Sequence, residues 1–359
     1  MRVYLVIQSM SGGGAQRVLS ILANYWSGLG YDIVLATFRN DDSFYSLDKK
    51  IEHIKLGLDS SSLRDKGVIF GNPFRVKVLA QSIKEQKADI VISFMTSANI
   101  LATVASKIVG IPIVISERTN YKALNSKVWR FLRRVVYPFS DALVVLSSYD
   151  KEKYSFHKNC HIIYNPISVT HKYNNLDREK IILAVGRLVY LKGFDMLIEA
   201  FSKVNHENWK LIILGEGEER ESLEKKIKDS NMSDKIELRG STKDVEYFYK
   251  RASIFVLSSR IEGFPNVLIE AMVYGCAPIA FDCLTGPRDI IQNNKNGLLV
   301  EAENISGLSE ALSYLLNNPD KITQFSKNAK DIEKELKIEK ISDKWLNILS
   351  TLIKKNNKG

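Results

Sequence analysis

The chain has 359 residues, more than one ordinary hydrophobic core accommodates, so two domains are expected. Hydrophobic residues make up 45% and charged residues 26%, a soluble globular balance that excludes wholesale disorder. The formal charge of +10 is lopsided: residues 1–170 carry 22 basic against 13 acidic side chains, net +9, whereas residues 171–359 carry 29 against 28, net +1. Such a field points to an anionic partner for the first half: nucleic acid, a phosphorylated substrate or an acidic membrane surface. Cys160, Cys276 and Cys283 have no framework spacing, which argues against a disulfide scaffold and for a reducing cytoplasm. The apolar run at 3–7 is too short for a signal peptide. The least charged stretch, 90–106, is broken by serines, threonines and Asn99, so no membrane span is expected and only peripheral attachment stays open.

In chain order, residues 2–8 read as a first strand, rich in β-branched side chains, running into Ser11-Gly12-Gly13-Gly14. A helix over 15–29 follows, with Val18, Ile21, Leu22 and Tyr25 on one face. Further strands are predicted at 32–37, 89–94, 113–116 and 142–146, separated by helices near 74–87, 96–109 and 125–138. Asn165-Pro166 and the polar run 171–180 read as a linker. The theme then restarts with strand 181–185, Gly186-Arg187, a helix near 194–204, strand 210–214 and Gly215-Glu216-Gly217. A charged helix over 220–229, strand 235–238, Gly240, a helix near 244–250 and strand 253–257 come next. Helix 266–274, strand 277–281 and helices within 307–357 complete the second half. This alternation predicts an α/β chain of two Rossmann-like parallel-sheet domains, 1–168 and 169–339, facing each other across a cleft. The last helix, over 340–359, is expected to pack back on the first domain.

Three segments carry the candidate chemistry. Gly12, Gly13 and Gly14 between a strand and a helix start make a turn without Cβ atoms, in which backbone N–H groups at the positive helix end can reach a phosphate. A plain tight turn explains the same residues, since neither a Walker loop nor a G-x-G-x-x-G fingerprint is present. In the second segment a strand ends at Gly186 and offers Arg187, then Lys192 before Gly193. Arginine forks onto two phosphate oxygens and lysine adds a mobile point charge, although two basic loop residues can also be simply solvated. The third segment, 262–270, sets Glu262 and Glu270 eight residues apart, with Phe264, Pro265, Asn266 and Val267 at the helix start. Eight helical residues rise roughly 12 Å, more than the roughly 5–9.5 Å between the paired carboxylates of glycosidases. Two-carboxylate hydrolysis is therefore disfavoured. One elongated ligand gripped at both ends, with its anionic middle at the helix N-terminus, fits better; two surface glutamates are the bland alternative.

Together these segments resemble the family 4 glycosyltransferases, retaining enzymes of the GT-B fold, over essentially the whole chain. The most specific stretch is 262–270 with Ala271-Met272 and Gly275, after the Gly186-Arg187 and Lys192-Gly193 loop. Ile115-Ser116-Glu117-Arg118 and the run 129–139 are similar to bacterial enzymes that add N-acetylgalactosamine to polyprenyl-diphosphate-linked oligosaccharides. The resemblance implies that Arg187 and Lys192 hold the donor diphosphate, with backbone N–H groups near Gly12–Gly14 and over 264–267 completing the cradle. It also implies that Glu262 bonds sugar hydroxyls, Glu270 bonds ribose hydroxyls, and the Arg239-Gly240 loop lies against a uracil base. It further implies transfer from a UDP-hexose or UDP-N-acetylhexosamine, best GalNAc, in O-antigen, capsule, lipopolysaccharide or protein-glycan assembly. Retention requires no base opposite the sugar. Asp-x-Asp occurs nowhere in the chain, which fits an enzyme needing no metal or other cofactor. Where many relatives carry a histidine this chain has Arg118, which cannot be a general base at ordinary pH. A sugar-nucleotide epimerase or hydrolase on the same architecture is the alternative enzyme.

The stretch 127–139 is amphipathic: Trp129, Leu132, Val136 and Phe139 share one face at helical spacing, and Lys127, Arg130 and Arg134 point elsewhere. An ordinary surface helix docked through its apolar face explains the pattern too. With Glu117, Arg118, Arg133, Arg64, Lys66, Arg75 and Lys77 it is a candidate surface for the acceptor diphosphate or anionic headgroups, and the resemblance implies a peripheral place at the inner face of the cytoplasmic membrane. Nucleic acid is not expected, because no helix-turn-helix, RNP aromatics or zinc-finger spacing accompanies the charge. A structural metal is not expected either: His157, Cys160 and His161 lack a fourth ligand, and His53, His171 and His206 are scattered.

Overall fold

Apolar runs that do not alternate form the strands, as a parallel sheet covered on both faces requires. In the computed structural model, which describes residues 1–58, 67–124, 126–167, 178–205, 207–242 and 244–356, these strands make two sheets. The first contains β1 (Arg2–Ile7), β2 (Asp32–Thr37), β3 (Glu52–Lys55), β4 (Ile90–Phe94), β5 (Ile113–Ser116), β6 (Ala142–Val145) and β7 (Cys160–Ile162) in the order β3-β2-β1-β4-β5-β6-β7. The second contains β8 (Glu179–Val185), β9 (Lys210–Leu214), β10 (Ile236–Gly240), β11 (Ala252–Leu257), β12 (Ala277–Asp282) and β13 (Leu298–Glu301) in the order β10-β9-β8-β11-β12-β13. Every pairing is parallel. Strand order reverses between β1 and β4 in one sheet and between β8 and β11 in the other. In open α/β sheets ligands bind outside the carboxyl ends of the strands at such reversals.

Contacts divide the chain into two units, Met1–Ser168 with Leu336–Gly359, and Val169–Glu335. The first is covered by α1 (Gly14–Gly28), α2 (Gly67–Glu85), α3 (Thr96–Val109), α4 (Lys127–Val136) and α5 (Ser148–Lys153). The second carries α6 (Phe194–Ser202), α7 (Arg220–Asp229), α8 (Val245–Arg251), α9 (Asn266–Val273), α10 (Pro287–Ile290), α11 (Ile305–Asn317), α12 (Pro319–Ala329) and α13 (Ile332–Leu336). The chain then returns to the first unit as α14 (Ile338–Asn356), a return that starts at Leu336 rather than at 340. Trp345 of α14 stands edge-on to Trp26 at 6.3 Å and stacks on Phe94 at 6.0 Å, and the Trp26 indole N–H donates to Ser342 Oγ at 2.9 Å. All three rings are fully buried.

The strands that the sequence pattern does not announce are sheet edges: β3 and β7 in the first sheet, β13 in the second. An edge strand is short and partly solvated, so β3 (Glu-His-Ile-Lys) and β7 (Cys-His-Ile) offer no apolar run to detect. Helices α5 and α10, of six and four residues, are too short for a 3.6-residue period to register. Arg64, Lys66, His171, His206 and the linker over 171–177 lie outside the described residues. Truncating Trp345 to alanine should cost about 3–5 kcal/mol, read as a lowered urea midpoint. An unchanged midpoint would show that α14 is dispensable to the first unit.

Candidate active site

In the second unit the reversal between β8 and β11 gathers most of the candidate residues. Strand β8 ends at Val185, and Gly186-Arg187 follow directly. The Arg187 side chain is exposed and forms no ion pair or hydrogen bond among the described residues. Lys192 closes a 3-10 turn over Tyr190–Lys192, and Gly193 (φ +63°) starts α6 from the left-handed region. Glycine is required there, since a Cβ on Gly193 would lie 2.1 Å from the Ser258 carbonyl oxygen after β11. Ser258 Oγ in turn donates to the Lys192 carbonyl at 3.0 Å. This close approach of two strand-end loops brings Lys192 Nζ to 2.6 Å from Glu262 Oε1.

Glu262 is buried, and the same oxygen accepts from Ser259 Oγ at 2.6 Å, while Thr285 Oγ1 donates to its carbonyl. Arg260 braces the loop from behind, forking onto both oxygens of Asp195 at 2.9 and 2.7 Å and stacking over the Tyr190 ring at 3.9 Å. Burial works to raise the Asp195 carboxyl, but the Arg260 guanidinium outweighs it and holds it below its ordinary range. Phe264 and Pro265 lead into α9, with Pro265 at its N-cap and Asn266 and Val267 in its first turn. Glu270 lies inside α9 and accepts from the Tyr249 hydroxyl at 3.2 Å. Tyr249 itself stacks on Tyr274 at 5.6 Å. Arg239, at the end of β10, pairs with Glu237 at 2.6 Å, and Gly240 (φ +83°) accepts from the Gly215 N–H at 2.9 Å.

In the first unit the reversal between β1 and β4 holds the glycine turn and a buried polar cluster. Gly12 and Gly13 have φ of +121° and +122°, and Gly14 opens α1. The Gly13 N–H donates to the Tyr45 hydroxyl at 3.2 Å, and that hydroxyl donates to the Gly13 carbonyl at 3.0 Å. Met95, after β4, is held at φ +79°, a conformation costly for a side-chain-bearing residue. Next to it, Glu117 Oε1 accepts from Thr96 Oγ1 at 2.8 Å and from the Tyr137 hydroxyl, while Oε2 is buried without a partner. Arg118 donates to Asn165 Oδ1 at 2.8 Å and stacks over Phe94 at 4.5 Å, leaving Nε and Nη2 unpartnered. Burial pulls its guanidinium down to about 9.

Three residues assigned to an acceptor or membrane surface are turned inward and are not exposed to a membrane. Glu117, Arg118 and Arg133 are buried. Arg133 donates to the Tyr121 carbonyl and to the Tyr154 hydroxyl at 3.1 Å and stacks over the Tyr121 ring at 3.9 Å. Phe139 is exposed rather than packed with Trp129, Leu132 and Val136. Arg75 is tied to the Leu58 carbonyl at 3.0 Å and to Asn72. Lys77, Lys127, Arg130 and Arg134 remain exposed. Sequence reasoning missed the Ser259 hydroxyl bond to Glu262 three residues on, and it missed Tyr249, Arg260, Asp195 and Tyr45, whose partners lie 21 to 65 residues away in the chain. His157 bonds Ser140 Oγ at 2.9 Å and His161 bonds Asn159 Oδ1 at 2.7 Å. Among the described residues no group of three or more His, Cys, Asp or Glu could hold a metal ion.

Two parallel-sheet Rossmann-like units, each with one reversal of strand order, make up a GT-B fold. The family model described as Glycosyltransferase Family 4 matches residues 12–171, and that described as Glycosyl transferases group 1 matches residues 169–332. A relative from Campylobacter jejuni is the GalNAc-alpha-(1->4)-GalNAc-alpha-(1->3)-diNAcBac-PP-undecaprenol alpha-1,4-N-acetyl-D-galactosaminyltransferase; it is 32% identical over 98% of this chain and 98% of its own length. A second C. jejuni relative, the N-acetylgalactosamine-N,N'-diacetylbacillosaminyl-diphospho-undecaprenol 4-alpha-N-acetylgalactosaminyltransferase, is 28% identical over 90% of this chain and 92% of its own. The crystal structure of Anabaena HepE in complex with UDP superposes with a TM-score of 0.81 at 18% identity, covering 98% of this chain and all of the other. The chain belongs to glycosyltransferase family 4.

Burial, the dominant influence, raises the Glu117 carboxyl above its ordinary range, and the hydrogen bonds from Tyr137 and Thr96 offset it only in part. A raised folded-state value stabilises below the unfolded value, and the contribution is lost as pH climbs through the folded one. The parent protein should therefore lose stability as pH rises through the shifted Glu117 value, and Glu117→Gln should remove that decline. Parallel Tm curves for the two proteins from about pH 5 to 9 would refute the assignment.

Proposed function

We propose that the chain transfers a hexose or N-acetylhexosamine, GalNAc as first choice, from a UDP-sugar to a polyprenyl-diphosphate-linked oligosaccharide, with retained anomeric configuration and without a metal. The Lys192–Glu262 pair beside the unpartnered Arg187 carries the reading. An incoming diphosphate would engage Arg187 and draw Lys192 toward it, leaving Glu262 to accept from a sugar hydroxyl. Glu270 stands one turn inside α9, where the resemblance assigns the ribose hydroxyls.

In the transfer step the bond from the anomeric carbon to the diphosphate oxygen breaks, and its electron pair leaves with the diphosphate. The acceptor oxygen bonds to the same face of that carbon, and its proton passes to the departing diphosphate. The developing negative charge falls beside the cationic side chains of Arg187 and Lys192, which stabilise it. The names of the two C. jejuni relatives support a polyprenyl-diphosphate acceptor, and the HepE complex supports UDP as the nucleotide. A lipid-linked acceptor calls for work at a membrane surface. No helix among the described residues is long and apolar enough to cross one, so attachment would be peripheral.

A panel of UDP-sugars offered with a synthetic polyprenyl-diphosphate saccharide, and NMR of the product anomeric centre, tests this reading. Inverted product, free sugar released without acceptor, or C2 inversion of the UDP-sugar would overturn it. Arg187→Ala should lower kcat about 10²–10³-fold, the scale seen when one preorganised charge-stabilising group is removed. Glu270→Gln should instead weaken UDP binding about tenfold, roughly the worth of one charged hydrogen bond, with a smaller change in kcat. The reverse pattern would reassign both residues.

A further inference from the structure

The first sheet ends at β7, a strand with one side that no other strand covers. Its parallel ladder with β6 runs through the odd-numbered residues. The Asn159 carbonyl accepts from the Leu143 N–H at 2.9 Å, and the Ile163 N–H donates to the Val145 carbonyl at 3.1 Å. Cys160 and Ile162 therefore turn their N–H and C=O groups away from β6, where these have no hydrogen-bond partner among the described residues. A groove of about 600 Å³ opens beside them, lined by β7, by α14 and by Lys151 of α5. The two helices belong to opposite faces of the sheet. Trp345 of α14 stacks on Phe94, which shares its register position with His161, whereas Tyr154, following α5, packs in the core against Cys160 and Ile162. A groove lined from both faces lies at the open edge of the sheet.

Open edges are ordinarily blunted by charge, proline or a covering element. The opposite edge, β3, follows that rule: Glu52 and Lys55 stand in its four residues, and Glu52 pairs with Arg2 at 3.1 Å. Strand β7 carries no carboxylate, lysine or proline. The groove beside it is apolar at Ile162, Ile163, Ile348 and Leu352. Lys151 and Lys344 add two exposed cations that form no ion pair among the described residues, and no carboxylate lines the groove. A second copy of the chain is a poor occupant, because a two-fold contact here brings the two lysine pairs together. An extended acidic chain fits every feature at once. Its backbone completes the ladder at Cys160 and Ile162, alternate side chains enter the apolar groove, and carboxylates on the remaining positions meet Lys151 and Lys344. We propose that the groove between β7 and α14 takes an extended acidic segment of a partner protein as an eighth strand of the first sheet. This docking needs neither donor nor acceptor and goes beyond the transfer reading.

The test is fluorescence anisotropy of the full-length chain with a labelled octapeptide of alternating valine and glutamate, in the absence of donor and acceptor. Its outcome is then independent of whether the chain transfers a sugar. The peptide should bind saturably, and a valine–lysine octapeptide should not. Lys151→Glu with Lys344→Glu should weaken binding about tenfold or more, since each reversal replaces an attraction by a repulsion, and should leave Tm unchanged because both side chains are exposed. Methylating the amides of either the valines or the glutamates blocks one edge of the peptide strand. One of these two peptides should lose binding about tenfold and the other keep it, because only one edge meets Cys160 and Ile162. Absence of saturable binding, equal binding of the acidic and basic peptides, or the same response from both methylated peptides would overturn the inference. So would binding that the lysine reversals leave unchanged, or displacement of the peptide by UDP, which would put it on the cations of the second unit. A concentration-dependent dimer in sedimentation velocity that Ile348→Lys removes would give the groove to a second copy.

Discussion

Lys192 and Glu262 stand 70 residues apart in the chain and 2.6 Å apart in space, at the place where the second sheet reverses its strand order. A carboxylate buried that deeply is stable only with a cation or several donors beside it. Here Lys192 and Ser259 supply both. The pair holds only because Gly193 lets the loop after β8 press against the loop after β11, and because Arg260 fastens the same turn through Asp195 and the Tyr190 ring. Arg187, one strand end away, is left with its charge unspent. The result is a strand end with one paired and one exposed cation.

The first unit handles charge differently. Its net +9 over residues 1–170 does not translate into nine cations on the surface. Arg118 and Arg133 are turned inward, each stacked on aromatic rings and bonded to a side-chain or carbonyl oxygen. Glu117 is buried among hydroxyl donors. The cost of burying these groups is met by packing that includes Trp345 from the far end of the chain, so the returning helix α14 and the loop after β5 share one core. What remains outside is the basic row of α4 and the apolar stripe beside it.

Much of the fold was legible because buried parallel strands and amphipathic helices leave strong periodic marks. The interior strands β1, β2, β4, β5, β6, β8, β9, β11 and β12 and the helices α3 and α7 lie where continuous apolar runs and helical patterns put them. The edge strands β3, β7 and β13 left no such mark, being short and half solvated. The candidate site was legible where it is local in sequence: the glycine turn, the Arg187–Lys192 loop, and the run from Glu262 to Glu270. It was not legible where partners come from distant segments, as at Asp195 with Arg260, Tyr249 with Glu270 and Tyr45 with Gly13.

Residue order alone determined the α/β class, the two repeated halves, the family resemblance and the positions of the charged loop residues, because each is a pattern within a few tens of residues. Tertiary structure alone decided which of those charges are available. Whether an arginine is a solvated cation or a stacked core residue depends on what lies across from it, and those neighbours come from distant segments: Trp345 for Arg118, Tyr121 and Tyr154 for Arg133, Glu262 for Lys192. The same holds for α4, whose period reveals an apolar face but not that a second apolar face, Val128, Phe131 and Val135, is left uncovered. Periodicity records how a segment is built. Burial records what the rest of the chain brings against it, and desolvation depends on that.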